Sequence, residues 1–163
     1  YMRRNDSITD KNLIQLFRTI GFDILSDDPK LFFTNLVIGY RLQGTSGGFK
    51  ATWANADAPF LRRLVDIIHP SVLLCLGKDT FRCTLRALGL QRLPVIRNYN
   101  RFIESSENSV QIHLGDDETT FVFALAHCGV MGTLNRNRGT NEKASLNKQI
   151  QDWAKIIPFL CKI

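Results

Sequence analysis

Four stretches of the chain repeat apolar residues every three or four positions, as one face of an amphipathic helix does. The first covers residues 10–20, where Asp10 is a suitable N-cap and Gly21 a suitable stop. The other three cover residues 57–69, 79–88 and 144–160. Pro158 is expected to end or kink the last of them. Residues 39–56 are rich in glycine and lack sustained periodicity, so we predict a long loop there.

Three runs of apolar residues are too continuous for a one-sided helix and predict strands buried on both faces. They cover residues 31–38, 72–76 and 121–126. Shorter strand-like pieces occur at residues 95–96 and 110–114, and the second leads through Gly115 into the third long strand as a hairpin. Because parallel strands need helical crossovers, the alternation of helices and strands predicts one α/β domain over residues 1–163. We expect three layers, α/β/α, around a mainly parallel central sheet.

The charge balance of the chain favours a polyanionic partner. Lys and Arg number 21 against 15 Asp and Glu, which gives a net charge of +6 and an isoelectric point near 9.4. Such a surface attracts nucleic acid, although an ordinary basic protein that binds none is equally consistent with charge alone. The hydrophobic fraction of 44% suffices for one core. No apolar run approaches the ~20 residues that span a bilayer, so we expect a cytoplasmic monomer with no membrane partner.

The cysteines predict neither a metal site nor a disulfide framework. They stand at positions 75, 83, 128 and 161 without a CxxC pair, and no histidine lies at ligand spacing beside them. Thiols used in this way are typical of a reducing compartment. We therefore expect no metal, no iron–sulfur cluster and no other cofactor.

Polar residues occur at or near the carboxyl ends of the predicted long strands, where open α/β sheets bind their ligands. Thr34 and Asn35 interrupt the first strand, Lys78 follows the second, and His127 follows the third. The amide of Asn35 carries a donor and an acceptor side by side, so it could read the edge of a nucleobase. The alternative, which is the more common one, is an amide that bonds a neighbouring loop backbone.

His127 is the second candidate for chemistry. It follows six apolar residues and precedes a loop rich in Gly, Asn and Arg, which places it at the rim of the sheet. A neutral imidazole there can donate a hydrogen bond to an oxygen as negative charge develops on a leaving group. A histidine that merely caps the loop is an equal alternative. His69 and His113 are interpreted as ordinary surface or packing residues.

The loop predicted over residues 129–139 combines features that suit nucleic acid. Val130 and Met131 lie between glycines and could form an apolar wedge, while Arg136 and Arg138 could bind phosphates. The alternative is a surface loop in which the two apolar residues pack underneath and both arginines are solvated. The direct continuation of this loop from His127 favours the functional interpretation.

Three of these segments together resemble the uracil-DNA glycosylase superfamily, in matching order and spacing across residues 30–140. Residues 31–35, Leu-Phe-Phe-Thr-Asn, are similar to the strand that supplies the uracil-reading asparagine. Residues 72–77, Val-Leu-Leu-Cys-Leu-Gly, are similar to a later core strand. Residues 126–132, Ala-His-Cys-Gly-Val-Met-Gly, are similar to the His-Pro-Ser-type loop, with Cys128 in place of the proline.

The resemblance implies a three-layer fold with a pocket for a flipped uracil. Thr34, Asn35 and Gly129 would bind the base, and His127 would stabilise the departing uracil anion. The residues that would contact DNA are Val130, Met131, Arg136 and Arg138. The glycine-rich first motif of the family, which holds the water-activating acid, has no match here and is expected upstream of the first helix. Asp6 lacks the flanking glycines and aromatic residue of that motif and is not assigned to the role.

The sequence leaves three functions open. The leading hypothesis is a DNA-repair glycosylase that hydrolyses the N-glycosidic bond of uracil, or of a related damaged pyrimidine, in DNA. The second is a non-catalytic module that binds nucleic acid or a base with a glycosylase-like fold. The third and weakest is an α/β enzyme that processes free nucleotides or nucleosides.

Overall fold

The computed structural model of the chain describes residues 7–26, 30–39, 50–114 and 118–160. The strands in this part are β1 (Val72–Leu76), β2 (Ser109–Leu114) and β3 (Glu118–Leu125). The helices are α1 (Ile8–Thr19), α2 (Ala51–Ile68), α3 (Lys78–Ala87), α4 (Tyr99–Glu104), α5 (Val130–Arg136), α6 (Asn147–Ala154) and α7 (Ile157–Leu160). The α/β class predicted from the sequence is confirmed.

The described strands form one small mixed sheet with β3 in the middle, in the order β1-β3-β2. Val72 pairs with Phe121 in the parallel β1–β3 ladder. Ser109 pairs with Phe123 in the antiparallel β2–β3 ladder. The predicted hairpin is thus present, but one of the two strand pairings is antiparallel, and the mainly parallel sheet expected from the sequence is not what the described strands form.

Side chains of β3 alternate between two core clusters, one on each face of the sheet. Val122 and Ala124 belong to the first cluster, which α2 and α3 cover. Phe123 and Leu125 belong to the second cluster, which α1 and α6 cover. All four side chains are at most 1% exposed. Successive residues of a strand face opposite sides, so a central strand between two helical layers must be apolar at every position.

The predicted strand over residues 31–38 is wrong, because this segment is irregular. Leu31 packs against the second cluster and Leu36 against the first, so the segment passes from one face of the sheet to the other. Phe32 and Phe33 are 61% and 49% exposed. The contacts of Leu31 and Leu36 with the two clusters explain part of the apolar run. Hydrophobicity alone does not specify whether such a run pairs as a strand.

The predicted loop over residues 39–56 is wrong in its last part, because α2 already begins at Ala51. Alanine is the strongest helix former, and four alanines stand in the first turns of α2. They are Ala51, Ala54, Ala56 and Ala58. Residues 40–49 of the predicted loop lie outside the described residues.

Two further differences concern short elements. Residues 95–96 form no strand, and α4 follows instead, with the Asn98 side chain accepting a hydrogen bond from the backbone N–H of Arg101 at 3.1 Å. The helix predicted over residues 144–160 is divided into α6 and α7. The break falls just before Pro158, as the missing N–H of proline leads one to expect.

Candidate functional site

The carboxyl ends of β1 and β3 meet at one backbone carbonyl. The oxygen of Leu125 accepts a hydrogen bond of 2.8 Å from the backbone N–H of Gly77 and one of 2.9 Å from the Tyr99 hydroxyl. Ala126 is still buried, whereas His127 is exposed. His127 therefore lies at the rim of the sheet, where the sequence predicts it.

The imidazole of His127 is held by its own loop, so the loop-capping role that the sequence left as an alternative is present. The backbone N–H of Gly129 donates a hydrogen bond of 3.0 Å to Nδ1 of His127. An Nδ1 that accepts a hydrogen bond carries no proton, so the neutral ring has its proton on Nε2. Since Nε2 lies on the opposite side of the ring, it remains a donor for a ligand.

Side-chain amides fix the backbone on either side of this ring. Nε2 of Gln149 donates to the carbonyl oxygens of His127 at 3.2 Å and of Ala126 at 3.4 Å. Nδ2 of Asn12 donates to the carbonyl oxygen of Cys128 at 2.7 Å. Three consecutive carbonyl groups are therefore held in place, and the loop is organised before any ligand binds.

The first turn of α5 lies directly against this loop. A Cβ at Gly132 would stand 2.0 Å from the carbonyl oxygen of His127, far inside van der Waals contact. A Cβ at Gly129 would stand 3.0 Å from Nδ1 of His127 and 3.2 Å from Oγ1 of Thr9. Only glycine fits at position 132 without a shift of the backbone that carries the imidazole.

The loop predicted over residues 129–139 is wrong in its first part, because residues 130–136 form α5. Val130 and Met131 occupy the first turn and are 51% and 68% exposed. They point into solvent rather than packing underneath. The helix presents two apolar side chains at the rim, immediately after His127.

The expectation that Arg136 is a surface cation is also wrong. Arg136 is 3% exposed, and its guanidinium forms hydrogen bonds of 2.7 and 2.9 Å to the two carboxylate oxygens of Asp152 and one of 2.8 Å to Glu104. A buried guanidinium needs such partners, and this one joins α4, α5 and α6. Arg138, by contrast, is exposed and makes one long contact of 3.5 Å, to Oδ1 of Asn135.

The pKa values in this ion-pair cluster shift in both directions, because burial raises the pKa of Asp152 although its hydrogen bond to Arg136 lowers it. Burial opposes the charge on Arg136, but hydrogen bonds to Asp152 and Glu104 outweigh burial and raise the pKa of the guanidinium. The hydrogen bond from Arg136 lowers the pKa of Glu104. Arg136 is therefore a structural cation that supports α5 from beneath and does not reach a phosphate at the surface.

Thr34 and Asn35 are exposed and lie in the irregular segment. The hydroxyl of Thr34 donates to the backbone carbonyl of Asn35 at 3.3 Å. The neighbouring Phe33 ring packs edge-on against Phe17 of α1, with ring centroids 5.4 Å apart. Within the described residues no hydrogen bond joins Asn35 to His127. Both segments contact α1, and their convergence on one cavity stays a prediction.

Asn12, which holds the loop, and two polar residues of α6, which support the loop and α5, were not predicted from the sequence. Gln149 and Asp152 lie on α6 among the apolar positions of its predicted buried face, and both are at most 2% exposed. Those apolar positions are Leu146, Ile150 and Trp153. A polar residue on the apolar face of a helix indicates a buried hydrogen-bonding role, so the signal was present.

Other features of the described residues do not indicate a reactive thiol or a metal site. Burial raises the pKa of the Cys75 thiol to about 12 and that of Cys128 to about 11, so both stay protonated. No group of metal-binding side chains occurs among the residues searched in the described ranges. Nor does any helix in those ranges have the length and apolar character that a bilayer crossing requires.

Two surface cavities lie away from the candidate site. One, of about 230 Å³, is lined by residues of α3 and the beginning of α2, including Asp79, Arg82 and Arg86. The other, of about 380 Å³, lies beside α1 and is lined by residues that include Lys11 and Leu25. Neither is lined by a residue that the sequence assigns to the base or to the DNA.

Comparisons with protein-family models, with curated proteins and with solved structures find no match for this chain. The resemblance to the uracil-DNA glycosylases therefore rests on the three sequence motifs.

Proposed function

We propose that the protein is a DNA glycosylase that hydrolyses the N-glycosidic bond of uracil or of a related damaged pyrimidine. The observation that carries the proposal is the state of His127. Its Nδ1 is occupied by the N–H of Gly129, and its Nε2 is left as a donor at an exposed rim. A neutral imidazole that keeps Nε2–H as a donor can stabilise a base that leaves as an anion, which supports the proposal.

In the proposed reaction the bond between C1′ of the sugar and N1 of the pyrimidine breaks. The electron pair leaves with the base, the sugar becomes oxocarbenium-like, and water adds at C1′ and loses a proton, so that the products are the neutral base and a C1′ hydroxyl. Nε2–H of His127 donates to the pyrimidine oxygen on which negative charge develops. One such positioned donor is worth about 100-fold to 1000-fold in rate. The acid that activates the water is not assigned.

Binding of the base and of DNA falls to the other predicted residues. Thr34 and Asn35 are proposed to contact the flipped base, with the Asn35 amide on the pyrimidine edge. Gly129, which the sequence also assigns to the base, is buried and its N–H donates to Nδ1 of His127, so its role is to orient the imidazole. Extrusion of a base costs a few kcal/mol of stacking, which an apolar wedge and phosphate contacts can offset. Val130 and Met131 are the proposed wedge. Arg138 and the net charge of +6 would attract the phosphates.

The finer fold proposal is the three-layer glycosylase arrangement with a larger, mainly parallel sheet. Helices on both faces of the described sheet support the three layers. We also propose that the protein acts as a monomer, because a base pocket of this kind needs no second subunit, and in the cytoplasm, because free thiols are typical of a reducing compartment.

The test is uracil release from single-stranded and double-stranded oligonucleotides that contain one deoxyuridine. We expect release by the wild-type protein and about 100-fold slower release by His127→Ala. His113→Ala is the matched control, since His113 is exposed on β2 and its side chain is hydrogen-bonded to Thr119, away from the His127 loop. Folded wild-type protein that releases no base from either substrate would refute the proposal.

A non-catalytic module that binds nucleic acid is the second candidate. It is favoured by the net charge of +6 together with the exposed apolar pair at the start of α5. It predicts salt-dependent binding of oligonucleotides without base release, and a shallower salt dependence for Arg138→Gln. Binding that does not change with salt would count against it.

A further inference from the structure

We propose that Gln149 is a positioning residue that sets the orientation of the His127 imidazole, and that Thr133 sets the orientation of Gln149. The effect on catalysis rests on the proposed function. The effect on the imidazole does not, because it follows from hydrogen bonds within the chain.

The first step is the orientation of the Gln149 amide. Gln149 is 1% exposed, and its Oε1 accepts a hydrogen bond of 2.9 Å from the Thr133 hydroxyl. With Oε1 turned towards Thr133, Nε2 faces the carbonyl groups of residues 126 and 127. A rotated amide would place Oε1 against those carbonyl oxygens and lose the bonds, which is unfavourable in a buried site.

The second step is the peptide plane that follows His127. The carbonyl of His127 belongs to the peptide unit that it shares with Cys128, and the bond of 3.2 Å from Gln149 fixes that unit. The next unit contains the carbonyl of Cys128 and the N–H of Gly129, and Asn12 holds its oxygen at 2.7 Å. The N–H of that second unit donates to Nδ1 of His127.

The consequence is a short chain of contacts from the core to the ring. If the first peptide unit is released, Asn12 alone holds the second, and the N–H of Gly129 is aimed less firmly at Nδ1. Without the bond to Nδ1 the neutral imidazole is no longer held in the Nε2–H form alone, and the Nδ1–H tautomer becomes populated beside it. Gln149 therefore acts on the candidate donor atom through two peptide units, without touching a ligand itself.

The main test is the tautomer of His127, read from two-dimensional ¹H–¹⁵N spectra of the imidazole and assigned with His127→Ala. We expect the Nε2–H form in the wild-type protein and a mixture of tautomers in Gln149→Met, which keeps the bulk but removes the amide. Gln151→Met is the matched control, because Gln151 is an exposed residue of the same helix. Identical tautomer signals in the two methionine variants would overturn the proposal.

A second pair of variants keeps the test decisive if Gln149→Met does not fold. Thr133→Ser keeps the hydroxyl that donates a hydrogen bond to Oε1 of Gln149, and Thr133→Val removes this hydroxyl with little change of shape. The valine variant should show the mixed tautomers, and the serine variant should keep the wild-type signal. Identical spectra for the two Thr133 variants would contradict the proposed role of the hydrogen bond from Thr133 to Gln149.

Activity separates this proposal from the proposed function. If uracil is released, Gln149→Met should lower kcat by about 10-fold to 100-fold, a loss typical of a misplaced catalytic group, with little change in KM. An unchanged kcat would contradict the positioning role. If the wild-type protein releases no uracil, the proposed function fails, and the tautomer spectra still decide the role of Gln149.

Discussion

The side-chain amide of Asn12 and the backbone carbonyl of Cys128 are joined by a hydrogen bond of 2.7 Å between residues 116 positions apart. This bond fastens α1 to the loop that carries His127. Because it holds the peptide unit whose N–H reaches Nδ1 of His127, it affects both stability and the proposed site.

Replacement of Asn12 by alanine should therefore lower both the stability of the fold and the rate of uracil release. We expect a loss of about 1 kcal/mol in the free energy of unfolding, as for a typical hydrogen bond, measured by urea denaturation. The rate of uracil release should also fall, and this fall should be larger than the small fraction of unfolded protein can explain. Asn55→Ala, at an exposed position of α2, is the control for both measurements. Equal effects of the two substitutions would contradict the role given to Asn12.

Gly132 should tolerate no side chain. Alanine there brings a Cβ to 2.0 Å from the carbonyl oxygen of His127, so the helix or the loop must move. We expect a loss of about 1–3 kcal/mol, typical of overpacking, and a change in the His127 ring signals. Gly39→Ala is the control, because no described atom lies within 4 Å of a Cβ at that position. A Gly132→Ala variant as stable as the control would show that the close approach is unimportant.

Arg136 should behave as a core residue and Arg138 as a surface residue. Arg136→Met leaves the Asp152 carboxylate buried without its bidentate partner, which should cost about 3–5 kcal/mol in the free energy of unfolding. Arg138→Met should change that free energy by less than about 0.5 kcal/mol. Denaturant unfolding of both variants measures the difference. Similar stabilities would contradict the buried cluster.

Alkaline pH should destabilise the fold through Cys75. Burial raises the pKa of this thiol from 9.0 to about 12, so the unfolded state loses its proton first. Between those values the unfolded state binds fewer protons, and the free energy of unfolding falls by up to about 1.4 kcal/mol for each pH unit. Urea denaturation in steps from about pH 8 upward measures this fall. Cys75→Ala should show a shallower fall, and an unchanged slope would contradict the assignment.

The sequence specifies β3 well because both faces of a central strand must be apolar. Val122 and Phe123 face opposite clusters, and the unbroken run is the direct sign of that burial. The position of His127 at the rim of the sheet was predicted for the same reason, because the first polar residue after such a run lies near the end of the strand.

Pairing across the chain was not visible in the sequence. Arg136 forms hydrogen bonds with Asp152, sixteen positions further on, and with Glu104 on another helix. No local sequence pattern predicts either contact. The segment from Leu31 to Leu36 shows the converse error, because its apolar residues pack on two faces without forming a ladder. Phe32 and Phe33 of this run are 61% and 49% exposed, so hydrophobicity predicted neither the burial of every side chain nor its partners, which depend on the assembled fold.

The two donors on the Leu125 oxygen have a consequence for the end of the sheet. The N–H of Gly77 and the hydroxyl of Tyr99 occupy both of its lone pairs, so this acceptor has none left for water. Burial raises the pKa of the Tyr99 phenol well above its usual range, and the hydroxyl remains a donor in alkaline solution. The carboxyl ends of β1 and β3 therefore stay joined to each other and to α4 at this carbonyl, with no exchange to water.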